Sequence, residues 1–197
     1  MTEDGIITSS RLLLRKIRRA DIEQIYDIFS NDRVTALYDC DSFTSRQQAE
    51  RWLDWNISLY KDKGIHGFRW AITLIEDPCT LIGSCGVHCV NTKFHSLEIG
   101  YELHPDYWGK GLASEAINLL MKTCYEQNFP IKLNRITAIT HLSNFASISL
   151  LQKLGFQQEG ILKEYGFWKG EYQTVRLFSL LKEDWKKGIL SIDNYCV

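Results

Sequence analysis

The chain of 197 residues carries 23 Lys plus Arg against 24 Asp plus Glu, a formal charge of −1, with 45% hydrophobic and 12% aromatic residues. These values exclude a disordered or collagen-like chain and any bulk positive field that would recruit nucleic acid or an anionic membrane. A chain of this length buries on the order of 70% of its unfolded surface, enough for one core without disulfide or metal staples.

No apolar run approaches the ~18 residues needed to cross a bilayer, and the opening MTEDGIITSSR has neither a basic start nor an apolar stretch. The expected compartment is the cytoplasm, where Cys40, Cys79, Cys85, Cys89, Cys124 and Cys196 read as free thiols.

In chain order, Leu12–Ile17 predicts a first strand, and Asp21 caps a helix whose apolar positions Ile22, Ile25, Tyr26 and Phe29 recur at helical spacing. Thr44-Ser-Arg-Gln47 has the form of a capping box and announces a second helix through Ala49, Trp52, Leu53 and Tyr60. Phe68, Trp70, Ile72 and Leu74 then alternate with Arg69, Ala71, Thr73 and Ile75, which is strand periodicity. Glu76-Asp-Pro78 turns the chain into a strand over Leu81–Val90, and a third strand runs over Leu97–His104 until Pro105 stops it.

From Ser114 the pattern is helical, with Ala116, Ile117, Leu120, Met121 and Cys124 on one face up to about Gln127. Arg135–Thr140 predicts a strand, Ile148, Leu151 and Leu154 a short helix ended by Gly155, and Val175–Leu181 a last strand. The tail from Lys182 to Val197 carries only weak signals. The order describes a mixed α/β (α+β) fold, with antiparallel hairpins early and a crossover helix late.

Cys85-Gly-Val-His88-Cys89 invites a metal reading. On a strand, however, Cys85 and Cys89 face one side and His88 the other, and no second ligand pair completes four. No metal is expected.

The stretch that carries chemistry is Leu97–Glu115, LEIGYELHPDYWGKGLASE. A strand runs into a glycine-containing turn that opens a helix, so the backbone around Gly109, Gly111 and Ala113 can aim several N–H groups at one point. Such a site suits a phosphate or pyrophosphate. The plain alternative is a tight turn before an ordinary helix. It is not a Walker loop, because no GK[ST] follows, and it lacks the third glycine of GxGxxG.

Trp108-Gly-Lys-Gly-Leu-Ala113 resembles the Q/R-x-x-G-x-G/A signature of the GCN5-related N-acetyltransferase (GNAT) superfamily, with Trp108 where glutamine or arginine more commonly stands. Tyr107–Ala116, YWGKGLASEA, is similar to the branch that includes the ribosomal-protein N-terminal acetyltransferases. Asn144-Phe-Ala-Ser147, Leu154-Gly-Phe156 and Glu159-Gly160 resemble that branch's N-x-x-S, LGF and EG elements.

The resemblance runs from Arg11 to about Trp185. It implies one domain over residues 1–197, with a core at about 11–185, a tail at 186–197, and a mostly antiparallel twisted sheet whose central strands splay apart. It further implies acetyl-CoA as co-substrate, with the pyrophosphate on the amides of Trp108, Gly109, Lys110, Gly111, Leu112, Ala113 and Ser114. The pantetheine arm would lie along Leu103 and His104, and Asn144 and Ser147 would reach the arm or thioester.

Acetyl transfer to an amine needs the amine deprotonated, the thioester carbonyl polarised and the departing thiolate stabilised. Direct attack in a ternary complex meets all three. Glu98, on the strand leading into the turn, is the candidate base, with Glu102 on the same strand face and Glu164 after the EG element as alternatives; any of them can equally be a surface ion-pair partner. Much of the superfamily places an acid tyrosine where Leu151 stands here, so Ser147 becomes the substitute, or else a cofactor ligand. Thr174 occupies a position where an aspartate often follows the G-x-Y element.

Cys85 as an acetylated nucleophile is the weaker alternative, since nothing places a base beside it. The expected acceptor is a primary amine, foremost a protein N-terminus, drawn to a pocket dense in aromatics such as Tyr38 and Trp52 and edged by Asp39, Asp41 and Glu164. The alternatives are a small amine (polyamine, amino acid or antibiotic) and a non-catalytic acyl-CoA-binding module. Neither nucleic acid nor membrane is expected as a partner, and monomer or homodimer stays open.

Overall fold

The computed structural model describes residues 5–62, 66–126, 129 and 131–193. Cys196 and the expected helix end at Gln127 lie outside them. Eight strands form one sheet: β1 (Ile7–Thr8), β2 (Leu12–Lys16), β3 (Phe68–Leu74), β4 (Leu81–Asn91), β5 (Ser96–Leu103), β6 (Arg135–His141), β7 (Gln157–Trp168) and β8 (Glu171–Leu181). Their spatial order is β1-β2-β3-β4-β5-β6-β8-β7, antiparallel throughout except for the parallel pair β5 and β6.

Helices cover both faces. Between β2 and β3 lie α1 (Ile22–Ser30), the one-turn α2 (Asp32–Thr35) and α3 (Arg46–Leu59); α4 (Leu112–Glu126) crosses from β5 to β6, α5 (Phe145–Lys153) follows β6, and α6 (Lys182–Asp193) follows β8. The even alternation of β3 and β5 splits the apolar residues between two cores. Trp70, Ile72, Cys85, Val87, Leu97 and Ile99 pack against Leu112, Ala116, Ile117, Leu120 and Met121 of α4, and Leu151 of α5 joins them fully buried. On the other face Ile25, Ile28 and Phe29 of α1 and Ala49 and Leu53 of α3 close over Ala71 and Leu81.

Several expectations shift. The capping glutamine is Gln48, whose Oε1 accepts the Ser45 N–H at 3.0 Å, one residue beyond the expected box. β7 escapes a period-2 reading because its ladder with β8 shifts register twice, near Gln158 and near Gly166, so its apolar residues do not alternate. The tail forms α6, anchored by Trp185, whose ring packs tilted against Tyr125 with centroids 5.2 Å apart. Within β4 a bulge gives Cys89 a φ of 49° and turns it outward, its Sγ 3.4 Å from His88 Nδ1, while Cys85 stays in the core.

The feature that positions the site is the pairing of β5 with β6. It spans only three residue pairs, Ser96 with Arg135, Leu97 with Ile136 and Glu98 with Thr137. Beyond Glu98 the two strands diverge, although β6 continues to pair with β8 through His141. A wedge therefore opens in the middle of the sheet, with Glu98 at its apex.

Candidate functional site

A cleft of about 1090 Å³ occupies this wedge and both of its mouths. One wall is the turn between β5 and α4. Gly109 and Gly111 have φ of +71° and +75°, the left-handed region where glycine alone is unstrained, and this curls the chain so that its amides converge. Among the described residues, no backbone acceptor takes the N–H groups from Gly109 to Ser114; the first bond of the helix is Glu115 N–H to Gly111 O.

A Cβ on Gly109 would meet nothing within 4 Å, so the concavity is open at the bend. From behind, Arg11 donates to Lys110 O at 3.0 Å and pairs with Glu115, which also accepts from Ser9 at 2.6 Å. These bonds tie the turn to the β1–β2 hairpin. A row of free amides at a helix N-terminus backed by an arginine is suited to a pyrophosphate.

The edge of β5 supplies the next segment. His104 N–H donates to Ile82 O on β4, so by strand alternation the peptide groups of Tyr101 and Leu103 point the other way, into the wedge. Leu103 O accepts the Trp108 indole N–H at 2.8 Å, which leaves the Leu103 N–H and both Tyr101 groups as the open edge. His104 does not share it. Its N–H and C=O are both bonded, its ring faces Asp27 at 3.2 Å, and neither it nor Lys110 lines the cleft. Leu103, Trp108, Gly109, Gly111, Leu112, Ala113, Ser114, Asn144, Ser147 and Glu98 all do.

From the opposite wall, Asn144 Oδ1 caps α5 by accepting Ser147 N–H at 3.1 Å. This holds Ser147 Oγ 2.6 Å from the Tyr101 hydroxyl, a bridge across the wedge. Burial pushes Tyr101 up to about 12, so its hydroxyl keeps its proton at neutral pH. With Tyr101 donating, the Ser147 proton is available to the cleft. Leu151, by contrast, is fully buried in the core and presents nothing to the wedge.

The other mouth, beneath α1 to α3, is polar. On one face of β5, Glu98, Gly100 and Glu102 stand in line opposite His88, Gly86 and Ser84 of β4. Glu98 is 13% exposed in its side chain; burial, with Asp39 adding its charge, pushes its carboxyl up to about 7. His88 Nε2 lies 3.7 Å from it, and burial, then Arg69, lower the imidazole's affinity for a proton. A carboxyl balanced near neutrality at the apex of a cleft is suited to take a proton.

Glu102 is consumed by its partners. Arg69 and Ser84 both bond to it, Tyr38 donates to it at 2.9 Å, and Arg69 Nη2 also reaches Tyr38 Oη at 3.2 Å. Glu164 sits at the irregular part of β7 with a φ of 48°, its N–H on Thr174 Oγ1 at 3.2 Å, and does not line the cleft. Burial pushes the Cys85 thiol up to about 12, on the core side of the sheet. Among the described residues no group of three His, Cys, Asp or Glu could hold a metal ion.

Tyr101 and Arg69 join the site without having carried any signal. Each sits in an ordinary strand pattern, and their partners are 46 and 33 residues away.

The model of the acetyltransferase (GNAT) domain matches residues 11–157. The uncharacterized N-acetyltransferase YoaA of Bacillus subtilis (strain 168) is 37% identical over 177 residues, covering 90% of this chain and 97% of that protein. The [ribosomal protein uS5]-alanine N-acetyltransferase of Escherichia coli (strain K12) is 33% identical over 99 residues, half of each chain. The spermidine N(1)-acetyltransferase of Vibrio cholerae is 27% identical over 176 residues, 88% of this chain and 95% of that one. A crystal structure of spermidine N-acetyltransferase from that organism, in complex with CoA and spermine, has a TM-score of 0.75 at 23% identity, covering 90% and 99%.

Proposed function

The chain belongs to the GNAT acetyltransferase family and is an N-acetyltransferase, and from that premise we propose that it transfers the acetyl group of acetyl-CoA directly to the amine of a protein N-terminus. The observation that carries this reading is the wedge with Glu98 at its apex, open amides at one end and a proton-accepting carboxyl at the other. The free N–H groups from Gly109 to Ser114 would hold the pyrophosphate, and the Tyr101–Leu103 edge would pair with the amides of the pantetheine arm as an added strand does. That edge takes the place of the expected Leu103–His104 pair.

In the proposed reaction the acceptor nitrogen attacks the thioester carbonyl, a C–N bond forms, and the C–S bond breaks. Glu98, as carboxylate, takes the proton the amine sheds, directly or through one water. Ser147, backed by Tyr101, donates to the departing thiolate. Ser147 thus fills the role that Leu151 cannot.

A small cationic amine is the second reading. It is favoured by the acidic pair Asp39 and Glu98 at the polar mouth and by likeness to the spermidine enzyme over nearly the whole chain. The test is calorimetric titration with acetyl-CoA, followed by thiol release with N-terminal peptides and polyamines in parallel. Binding without thiol release from any amine refutes acetyl transfer, and release with spermidine alone replaces the N-terminal acceptor with the polyamine.

A further inference from the structure

The polar mouth contains groups that the proposed chemistry does not use, Arg69 foremost among them. Arg69, with a side chain 14% exposed, spends Nε on Ser84 Oγ at 2.5 Å and Nη2 on Glu102 and Tyr38. Its Nη1 donates to no described residue, yet Arg69 lines the cleft. Burial works against the charge, but the adjacent Glu102 carboxylate outweighs it and holds the guanidinium in its charged form, so Nη1 is a charged donor without a hydrogen-bond partner among the described residues.

What lies beneath Nη1 is Gly100. A Cβ built there would stand 3.6 Å from Arg69 Nη1 and 3.5 Å from His88 Nε2, ordinary contact distances. Its φ is also outside the region that demands glycine. Its cross-strand neighbour Gly86 is different, because a Cβ there would press to 2.4 Å on Phe68 O, so the fold itself requires that glycine. No contact among the described residues requires glycine at Gly100, and a glycine inside a strand costs stability. The result is a stretch of β5 with Glu98 at one end, where Gly100 adds no side chain and the Arg69 and His88 tips lean over the backbone.

Glu98 and Gly100 are two residues apart, roughly 7 Å along the strand. An amine hydrogen-bonded to Glu98 and a carbonyl oxygen bonded to Arg69 Nη1, two bonds of ~2.9 Å with an α-amino carbonyl between them, span that separation. Resting on the acetyltransferase reading above, we propose that Arg69 is a specificity-determining residue. Its Nη1 donates to the carbonyl oxygen adjacent to the acceptor amine, beside Gly100, which adds no side chain of its own. The acceptor class is then an α-amino carbonyl compound, a peptide N-terminus or a free amino acid. A polyamine offers Nη1 no acceptor and places cation against cation.

The test compares kcat/KM of the full chain for an alanine-initiated tetrapeptide, alaninamide, alanine, isopropylamine and spermidine. Carbonyl-bearing acceptors should exceed isopropylamine at least tenfold, as expected for a hydrogen bond from a charged donor. Alanine against the peptide and the amide distinguishes a free amino acid from an N-terminus.

In Arg69→Lys that ratio should collapse toward one, through a rise in KM for the carbonyl-bearing acceptors. Gly100→Val, which crowds Nη1 while leaving Arg69, Glu102, Ser84 and Tyr38 all present, should do the same should Arg69→Lys fail to fold. A wild-type enzyme that favours spermidine or isopropylamine, or variants that slow every acceptor equally, overturn the inference and leave the acetyltransferase intact. Thiol release from no amine at all overturns both.

Discussion

Replacing Glu98 by glutamine removes the proposed base at almost constant volume, and it should change rate and stability in opposite directions. Glu98 titrates near 7 in the fold instead of its ordinary 4.5, because burial and then Asp39 disfavour the carboxylate. The wild-type rate should therefore rise with pH through about 7 as the carboxylate forms. Glu98→Gln should lose that limb and about 10²- to 10⁴-fold in turnover at pH 7, the usual worth of general-base catalysis. Partial recovery should follow at higher pH, where a free N-terminal amine, with a pKa of about 8, deprotonates unaided.

The stability effect has the opposite sign from that of an ordinary paired carboxylate. A carboxyl whose folded pKa is raised holds its proton more tightly in the fold. Wild-type stability is therefore undiminished below 4.5 and is lost as the pH climbs through 7. The shift from 4.5 to about 7 corresponds to a penalty on the order of 3 kcal/mol, and the buried glutamine amide has a desolvation cost of its own. A net gain of about 1–2 kcal/mol at pH 8 is expected, or ~2–8 °C in Tm for a chain of this size.

Thermal unfolding at pH 8 and near pH 4.5, with steady-state thiol release across the same range, checks both halves. The variant should melt higher at pH 8 and lose its advantage near pH 4.5. An advantage independent of pH, or a rate limb near 7 that survives in Glu98→Gln, would refute the assignment of the base.

Three further outcomes follow from the same geometry. Ser147→Ala should lower kcat about tenfold or more with little change in acetyl-CoA affinity, and Tyr101→Phe should show a smaller loss in the same direction; equal rates would remove the bridge from the mechanism. Gly111→Val forces a β-branched residue into a φ of +75°, a strain of about 1–2 kcal/mol that opens the turn, so CoA affinity by calorimetry should fall before the fold does. Leu151→Tyr should not supply an acid. It overpacks a fully buried site and should cost about 1–3 kcal/mol in chemical denaturation with no gain in turnover.

Much of the fold is legible because side chains alternate between the two sheet faces along the strands and recur at helical spacing along the helices. β3 and β5 each set one apolar face against α4, and α1 shows its Ile25, Ile28 and Phe29 stripe at helical spacing. Legibility fails where the pattern is broken by irregularity. β7 is missed because its register shifts twice and most of it is exposed, so residues such as Ile161 and Phe167 face solvent instead of marking a core side. Strand alternation would set Cys89 on the same side as Cys85, but a bulge that no residue letter announces turns it outward.

At the site, the difference between what is legible and what is not is a difference between local and distant partners. Glu98 and the Gly109–Gly111 turn can be read because sequence neighbours define them, a strand followed by a turn and a helix. The pKa of Glu98 cannot, since it depends on burial under α1 to α3 and on Asp39, 59 positions earlier in the chain. The same holds for the surroundings of the other two glutamates: Arg69, Ser84 and Tyr38 engage Glu102, and Glu164 does not line the cleft.

Even the near-zero net charge acquires a meaning through this arrangement. The end suited to an anion owes its positive character largely to peptide N–H groups, which add nothing to a count of charged side chains, while the end suited to an ammonium group uses Asp39 and Glu98. Opposite fields at the two mouths of one cleft are therefore compatible with a sum of −1. They would draw an anionic co-substrate and a cationic acceptor into the wedge from opposite sides, so that the two meet only at its apex.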